Sequence, residues 1–439
     1  MTHTISVTGY GAGGDGVARL EDGRVVFVRG AARGDLLEVR LTREHPRSVR
    51  AEIVRVLEAS PHRIEPDCPY FPECGGCDFR HVTYAEELDA KLRRVNDAMR
   101  RIGGVSACAS DIISTGQTDG YRNKAVFHSS GGALGYYRAQ SHDVVHVDRC
   151  LLLKDDINDA LRRLQSRNGG DAPHVGDVTL RSGRCGLERS EPARSEPARS
   201  GPERSGPERG GSERSEQKCG EPEQPLEEEL DGLVFQISGF FQVNTSAALL
   251  LYRKVREYAA MSKDETLVDL YCGIGSMTLF VGRDAGHALG IEQNPSAVKS
   301  ARENALRNKL PNIRFICADA ADWEADASVL KADATHTASH KADATHAADN
   351  NADSTRAAAY EASFAHPDCV IVDPPRKGLS TGAARKILEL APKRIIYVSC
   401  DPATLARDIR ELKGYSIKNL CAIDMFPRTA NVECCCQLA

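Results

Sequence analysis

The chain has 439 residues, of which 41% are hydrophobic and 27% are charged, and its formal net charge is −5. This length exceeds that of one ordinary domain, so we expect two or three domains. The negative charge does not point to nucleic acid, although an acidic average can hide a local basic patch. The sequence has no apolar run of about eighteen residues and no N-terminal signal pattern, so we expect a cytoplasmic protein without membrane contact.

Residues 1–58 are predicted to form a small β-barrel. The stretch "GRVVFVRGAARGDLLEVRLTREHPRSVRAEIVRVLEAS" alternates apolar and polar residues between glycine-containing turns, which is typical of short strands. On one face of a barrel, the arginines of its second half would follow phosphates, whereas on a solvated edge they would only limit aggregation. The sequence leaves both interpretations open. These arginines are Arg40, Arg43, Arg47, Arg50 and Arg55.

Residues 59–230 are predicted to form a central domain. A helix at about 84–102 ("YAEELDAKLRRVNDAMRRI") has apolar residues at helical spacing, and we expect it to pack on the domain that follows. Residues 120–150 have the pattern of strands. Residues 184–228 repeat serine, glutamate, proline, arginine and glycine. Because this composition cannot form a core, we expect a disordered insert there.

Residues 231–439 are predicted to form an α/β domain. Segments such as "ETLVDLYCGIGSMTLFVG", "CVIVDPPRKGL" and "RIIYVSCDPATLARDI" each begin with an apolar run and end in a loop. This alternation indicates a doubly wound, mostly parallel sheet whose functional site lies along the carboxyl edge. A biased stretch at about 326–365, which contains "KADATH" twice, is expected to be a surface insert.

Acidic residues at successive predicted strand ends indicate a nucleoside ligand. The strand 267–271 runs into Gly273 and Gly275, which let a ligand approach the backbone closely. Glu292 closes the next strand, where a carboxylate can hold two ribose hydroxyls, and Asp319 closes the third, near an expected adenine edge. The third glycine of the dinucleotide motif is missing. S-adenosylmethionine therefore fits better than a nicotinamide cofactor.

Asp373, Cys400 and Glu433 are the candidate reactive residues. Asp373 precedes two prolines, which would fix it at the sheet edge, where it could accept a hydrogen bond from a flat base. Cys400 follows an apolar strand and precedes a helix whose dipole is expected to lower the thiol pKa. Burial is expected to raise the pKa of Glu433 and suit it to act as a general base. The alternatives are a turn acid, a core thiol and a strand-end charge.

Three cysteines in "CPYFPECGGC" suggest a soft-metal site. Cys68, Cys74 and Cys77 have the spacing C-x5-C-x2-C, and Cys150 is a possible fourth ligand. In a reducing compartment, such thiols indicate zinc or an iron–sulfur cluster. The first spacing is unusual for a zinc ribbon and does not match the C-x3-C-x2-C ligands of a radical enzyme. Structural cysteines without a metal are the remaining alternative.

Together, these segments resemble the RNA uracil-5 methyltransferase family, in particular its iron–sulfur branch that acts on ribosomal RNA. The resemblance implies an N-terminal TRAM (OB-like) barrel, a central iron–sulfur domain and a Rossmann-like methyltransferase domain. It covers nearly the whole chain outside the two inserts. Besides the barrel, the matching motifs are "CPYFPECGGC" with Cys150, "FFQVN", "DLYCGIGSMTL", "GIEQN", "VDPPRKG", "VSCDPATLARD" and "FPRTANVE".

The resemblance implies S-adenosylmethionine-dependent methylation of carbon 5 of a uridine in 23S rRNA. The alternatives are the same chemistry on tRNA and a non-catalytic RNA-binding iron–sulfur protein. We expect a monomer in which Cys400 is the nucleophile and Glu433 the general base; their joint presence argues against a non-catalytic protein. The cofactor-binding residues implied are Gln242, Tyr271, Ser276, Glu292, Asp319 and Asp373, and the [4Fe–4S] ligands are Cys68, Cys74, Cys77 and Cys150.

One position departs from the family pattern. The family usually has histidine two residues before the catalytic glutamate, and this chain has Asn431 there. The resemblance therefore gives no support for a proton relay at this position.

Overall fold

The computed structural model describes residues 2–131, 133–167, 177–183, 186–190, 226–237, 239–324 and 364–439. Hydrogen bonds group the strands of these residues into sheets of six, five, two and eight strands. In this part of the chain, no helix is both long and apolar enough to cross a membrane.

The N-terminal unit consists of β1 (Thr2–Ser6), β2 (Gly9–Tyr10), β3 (Gly16–Arg19), β4 (Val25–Val28), β5 (Leu36–Glu44) and β6 (Ser48–Glu58). They form one sheet in the order β1-β5-β6-β4-β3-β2. Alternate side chains, such as Val26, Val28 and Leu37, are fully buried in a small core, as the two-residue period of a strand requires. The predicted β-rich N-terminal unit is confirmed.

The central unit has its own small antiparallel sheet. Its elements are α1 (Tyr84–Ala98) with a π-helical turn (Met99–Gly103), β7 (Ile112–Ile113), β8 (Lys124–Ser130), β9 (Ala133–Tyr137), β10 (Val144–His146), α2 (Asp155–Arg167), β11 (Val178–Gly183) and β12 (Gly186–Ser190). The sheet order is β10-β9-β8-β11-β12. Helix α2 packs on this sheet, because Ile157 and Leu161 share a buried core with Phe127.

The structure corrects both ends of the range predicted as a disordered insert, 184–228. Strand β12 pairs with β11, and the other end forms β13 (Glu227–Leu230), which pairs with β14 (Leu233–Gln236). Backbone hydrogen bonds order these ends, and amino-acid composition does not reveal such pairing. The remaining residues of the range lie outside the described part of the chain.

The C-terminal unit is an α/β layer structure. Its elements are α3 (Thr245–Ala259), β15 (Thr266–Leu270), α4 (Ser276–Gly282), β16 (His287–Glu292), α5 (Pro295–Arg307), β17 (Ile313–Cys317), β18 (Cys369–Val372), α6 (Thr381–Leu390), β19 (Arg394–Ser399), α7 (Pro402–Ile409), β20 (Ile417–Ile423) and β21 (Glu433–Leu438). Both faces of the sheet are covered: Leu267 and Val268, neighbours on β15, belong to different buried clusters. The predicted doubly wound sheet is confirmed.

The strand order β17-β16-β15-β18-β19-β21-β20-β7 places the functional edge. Strands β15 to β19 are parallel. Strands β16 and β17 lie on one side of β15, and β18 and β19 lie on its other side, so the strand order reverses at β15. A crevice for ligands opens at such a point, at the carboxyl ends of the strands. The second predicted insert, about 326–365, falls between β17 and β18, and all but its last two residues lie outside the described residues.

The central unit is joined to this sheet by α1 and β7. Strand β7 pairs with β20 at the sheet edge. The buried Lys91 ammonium donates to Glu87 Oε1 at 2.7 Å and to Asp424 Oδ1 at 2.6 Å. Since a buried charge must be paired, these contacts fix α1 against the segment that follows β20.

Candidate active site

The carboxyl edge of the sheet gathers most of the predicted site residues. Tyr271, Asp373 and Cys400 directly follow β15, β18 and β19, and Glu292 is the last residue of β16. Asp319 lies just beyond β17 and is exposed. Because these strands are parallel neighbours, their ends form one continuous row.

The loop after β15 is held by the carboxylate at the end of β16. The carboxylate of Glu292 accepts hydrogen bonds from the backbone N–H of Gly273 at 3.1 Å and of Asn294 at 2.8 Å. Gly275 has φ +79°, and a Cβ there would lie 2.7 Å from the Phe315 ring. This glycine is therefore required for the backbone conformation and for packing.

Helix α4 follows the loop after β15 and begins at the same edge of the sheet. The hydroxyl of Ser276, its first residue, hydrogen-bonds the Tyr252 hydroxyl at 2.9 Å. Asp269, buried within β15, accepts a hydrogen bond from Thr278, and burial raises its pKa to about 7. The sequence analysis did not single out Asp269, although an acidic residue inside a largely apolar predicted strand could have drawn attention to it.

Gln242 lies on the segment that leads into α3. Its side chain is buried, and its backbone carbonyl accepts a hydrogen bond from Asn123 Nδ2 at 3.2 Å. The same segment reaches the loop after β15, because a Cβ at Gly239 would stand 3.6 Å from Ile274. Phe240, between Gly239 and Gln242 in the sequence, is 74% exposed.

The pairing of β19 with β21 brings the two predicted reactive residues together. Ser399 stands opposite Cys434, so Cys400 and Glu433, the residues next to this pair, meet at the functional edge. Glu433 is 5% exposed. Burial raises the pKa of Glu433 to about 8, the negative charge of Asp373 adds to this, and Arg376 opposes it. The expected rise in the pKa of this carboxyl is confirmed.

The expected lowering of the Cys400 pKa is wrong for the free protein. Burial raises this pKa to about 11, the charge of Glu433 adds to it, and Arg376 opposes it. The start of α7 does not counter this, because the Asp401 side chain already accepts from Ala403 N at 2.7 Å and Thr404 N at 3.1 Å. The helix-end amides therefore serve the cap rather than the thiol.

Arg376 is a site residue that the sequence analysis missed. It is exposed, and its positive charge lowers the pKa of both Cys400 and Glu433. Burial raises the pKa of the neighbouring Asp373 to about 7. The available signal was a cation three residues after Asp373, directly beyond the double proline.

The four predicted cluster ligands line one cavity of about 90 Å³ in the central unit. Burial raises the pKa of Cys74 and Cys150, and raises that of Cys77 to about 12. Among the described residues, no group of three or more histidine, cysteine, aspartate or glutamate side chains is arranged to hold a metal ion. The cavity also contains three cations, Arg80, Arg122 and Arg149.

Comparisons with known proteins agree with this architecture. The TRAM domain family matches residues 2–54, a general methyltransferase domain family matches 267–366, and the tRNA (uracil-5-)-methyltransferase family matches 340–439. An uncharacterized RNA methyltransferase of Gloeobacter violaceus is 34% identical, with 100% of this chain and 96% of the relative covered. A similar RNA methyltransferase of Thermosynechococcus vestitus is 31% identical over 96% of this chain and 94% of its own.

A solved structure shares the whole fold. The Pyrococcus abyssi tRNA (uracil-54, C5)-methyltransferase, in complex with S-adenosyl-L-homocysteine, aligns over 100% of both chains with a TM-score of 0.66 and 23% identity. The fold and the matches to the TRAM and methyltransferase families define an S-adenosylmethionine-dependent methyltransferase with an N-terminal TRAM domain. The chain belongs to the RNA uracil-5 methyltransferase family.

The charge of Glu433 predicts the pH dependence of the Cys400 thiol. In RNA-free protein, alkylation of Cys400 by iodoacetamide should rise toward pH 11. In Glu433→Gln the lost negative charge should lower the pKa of Cys400 and speed alkylation roughly threefold to tenfold at pH 9–10. Below about pH 8 the Glu433 carboxyl is protonated, so the two proteins should converge there.

Mass spectrometry of the Cys400 peptide measures this rate. Cys108, an exposed thiol, is the internal reference and should react equally in both proteins. Glu411→Gln, an exposed change on the same domain, is the matched control. Identical pH profiles for wild type and Glu433→Gln would contradict the electrostatic contact between the two residues.

Proposed function

We propose that the protein methylates carbon 5 of a specific uridine in 23S rRNA and forms 5-methyluridine through a covalent bond between Cys400 and carbon 6 of the uracil. The observation that carries this proposal is the strand pairing that sets Cys400 and Glu433 side by side at the cofactor edge. A thiol and a buried carboxyl of raised pKa are the nucleophile and base that this chemistry needs.

The mechanism follows from the weakness of uracil carbon 5 as a nucleophile. The Cys400 thiolate forms a bond to carbon 6, and the displaced ring electrons make carbon 5 an enolate carbon. S-adenosylmethionine, when bound, supplies the electrophilic methyl group that carbon 5 takes up. Glu433 then removes the proton left on carbon 5. The Cys400–carbon 6 bond breaks, the ring double bond returns, and the thiolate is released.

Arg376 has a role in the first step of this proposal. The thiol of the free protein has a pKa of about 11, so a thiolate requires stabilisation. Arg376 is the cation that favours the ionised form of Cys400. Its guanidinium also has the donors to hold a uracil oxygen or a phosphate.

The cofactor residues are assigned from their places at the edge. Glu292 uses part of its carboxylate to hold the loop after β15, and the remaining lone pairs can accept from the two ribose hydroxyls. Asp319 lies near the expected adenine edge. We assign the amino-acid portion and the sulfonium to the other side of the row, at Gln242, Tyr271, Ser276 and Asp373.

The RNA must present its uridine outside a base stack. Phe240, with 74% of its side chain exposed next to Gln242, offers an aromatic face on which the extruded base or its neighbour can stack. The aromatic ring stands in the segment that faces the cofactor loop. This arrangement supports entry of a single base into the crevice.

A groove of about 410 Å³ lies between the N-terminal sheet and α1, and Ala430 is part of its lining. Arg94 donates to Ala430 O at 2.8 Å and lies 3.5 Å from the Asp401 carboxylate, next to Cys400. The lining also includes Asp97, and each of its arginines is paired with a carboxylate: Arg33 with Glu86, Arg93 with Asp89, Arg94 with Asp401 and Arg101 with Asp97. These arginines would contact RNA phosphates only by exchanging those partners.

The arginines of β5, β6 and the turn between them differ in their contacts. Arg43 stands opposite Arg50 on the paired strand, which concentrates positive charge. However, Arg50 forms an ion pair with Asp15 at 3.0 Å, and Arg55 one with Glu38 at 3.4 Å. Exposed Arg40, Arg43 and Arg47 are therefore the better candidates for phosphate contacts.

The division of labour between Cys400 and Glu433 is the direct test of the mechanism. Cys400→Ala should bind RNA but form neither adduct nor methylated product. In Glu433→Gln, Cys400 should still bond to carbon 6 and carbon 5 should still be methylated. The methylated covalent protein–RNA complex should then accumulate, because its release is slowed about a hundred- to ten-thousandfold. A denaturing gel with RNA carrying a label from the methyl donor measures both species.

RNA that contains 5-fluorouridine is the companion substrate. Fluorine cannot leave carbon 5 as a cation, so the wild-type protein should trap itself on this RNA. Cys434→Ala, which removes a buried thiol on the neighbouring strand, is a control that keeps Cys400. A trapped band with Cys400→Ala, or none with wild type, would falsify the role of Cys400.

The target RNA is tested by mapping the product. We propose 23S rRNA; the second candidate is tRNA, the substrate named for the Pyrococcus abyssi enzyme whose fold this chain shares. In a deletion strain, mass mapping should show loss of 5-methyluridine at a 23S rRNA site, and the cloned gene should restore it. If 5-methyluridine is lost from tRNA only, the target is tRNA instead of 23S rRNA.

We propose a [4Fe–4S] cluster on Cys68, Cys74, Cys77 and Cys150. Each thiolate of such a cluster binds a different iron, so the ligands surround a volume rather than converge on one ion. Four thiols around one cavity fit that requirement better than a single zinc. When bound, the cluster would cross-link the central unit; the three arginines in the cavity lining would balance its negative charge.

Metal analysis tests the cluster. Protein purified without oxygen should be brown and contain about four irons and four sulfides per chain. Cys74→Ser should lower iron content and the yield of folded protein, because metal binding contributes to folding. Cys108→Ser, at an exposed thiol outside the cavity, should change neither. One zinc per chain with no iron would replace the cluster by a zinc site.

A further inference from the structure

The segment before Glu433 has no regular secondary structure. Residues 424–432, here called the base loop, connect β20 to β21. The loop is largely buried: Asp424, Met425 and Val432 have no exposed surface. Because buried backbone groups require hydrogen-bond partners, such a loop depends on other parts of the chain for its shape.

Asp78 supplies contacts at two points of the base loop. Its backbone N–H donates to Arg428 O at 2.8 Å, and its carboxylate Oδ2 accepts from Ala430 N at 2.9 Å. The next residue, Phe79, also donates its N–H to Arg428 O, at 3.1 Å. Asp78 thus fixes the chain three residues before Glu433.

The same aspartate links two other units of the protein. It directly follows Cys77, whose carbonyl accepts from Arg29 Nη2 at 2.8 Å, and Arg29 Nη1 lies 3.4 Å from Asp78 Oδ1. Gly14 of the N-terminal unit has φ +83° and packs on the junction: a Cβ there would lie 2.7 Å from Asp78 Cβ and 3.3 Å from Ala430 Cβ. The N-terminal sheet, the cysteine-bearing segment and the base loop therefore meet at one residue.

We propose that Asp78 is a positioning residue for Glu433, which it orients by holding the base loop against the cysteine-bearing segment and the N-terminal sheet. This inference rests on the proposed role of Glu433 as the general base. Its consequence is specific: loosening the loop impairs proton removal from carbon 5 more than bond formation by Cys400, because Cys400 is held by β19 and α7 instead.

Single-turnover kinetics test this consequence. In Asp78→Ala, release of methylated RNA should slow about tenfold relative to adduct formation, so a methylated covalent complex should accumulate on a denaturing gel. Asp78→Asn should restore most of the release rate, because its amide oxygen can still accept from Ala430 N–H. Gly14→Ala should reproduce the Asp78→Ala pattern, since the added methyl group displaces Asp78.

Glu73→Ala is the matched control. Glu73 is a carboxylate in the same cysteine-bearing segment, exposed and paired with Arg138 at 2.9 Å, so its loss should leave the partition between adduct and product unchanged. Iron content is measured for every variant, and the comparison uses proteins with wild-type iron. If Asp78→Ala folds poorly, the release rates of Asp78→Asn and Gly14→Ala still test the positioning role of Asp78.

The outcomes separate this inference from the proposed function. Equal slowing of adduct formation and release in Asp78→Ala, or no recovery in Asp78→Asn, would assign Asp78 a merely structural role and overturn the inference. The inference would also be overturned if wild type is trapped on 5-fluorouridine RNA while Asp78→Ala releases methylated uridine RNA at the wild-type rate. Absence of trapping by wild type would instead overturn the proposed function.

Discussion

The pairing of β21 with β19 determines where the two candidate reactive residues meet. Strands β19 and β20 run parallel to the rest of the sheet, whereas β21 is inserted between them in the opposite direction. The start of β21 therefore reaches the edge at which β19 ends. A residue just past one strand, Cys400, and the first residue of another, Glu433, become neighbours for this reason.

Burial at this edge has an energetic cost that the chemistry uses. The pKa values of Asp269, Asp373 and Glu433 are raised to about 7, 7 and 8. Each folded-state pKa lies above the ordinary carboxyl value, so the folded protein binds more protons than the unfolded chain between that value and pH 7–8. The contribution of these groups to stability consequently falls as pH rises through this range. Since a strongly hydrated carboxylate is a weak base, the same desolvation makes Glu433 a better proton acceptor.

The sequence predicted the features that local patterns encode. Apolar runs followed by loops identified the parallel sheet and the acids Glu292, Asp319 and Asp373 at its edge, because a parallel strand ends where its loop begins. The pKa of Cys400 was predicted in the wrong direction because burial raises it and the charge of Glu433, from a distant part of the chain, adds to this. The amides at the start of α7 do not oppose the rise, because Asp401 accepts their hydrogen bonds. Arg376 was missed for a related reason, since its effect is visible only beside these two groups.

The base loop explains why the three units of this chain form one site. Its sequence, "DMFPRTANV", has no period of its own, so its shape comes from partners far away in the chain. Lys91 and Tyr84 of α1 bind the Asp424 carboxylate at 2.6 Å each, and Tyr121 donates to Pro427 O at 3.0 Å. These contacts close long loops of chain, which is entropically unfavourable, and the burial of α1 against the catalytic domain offsets that cost. The N-terminal and central units thus hold the loop that precedes Glu433, while the pairing of β21 with β19 within the sheet sets Glu433 beside Cys400.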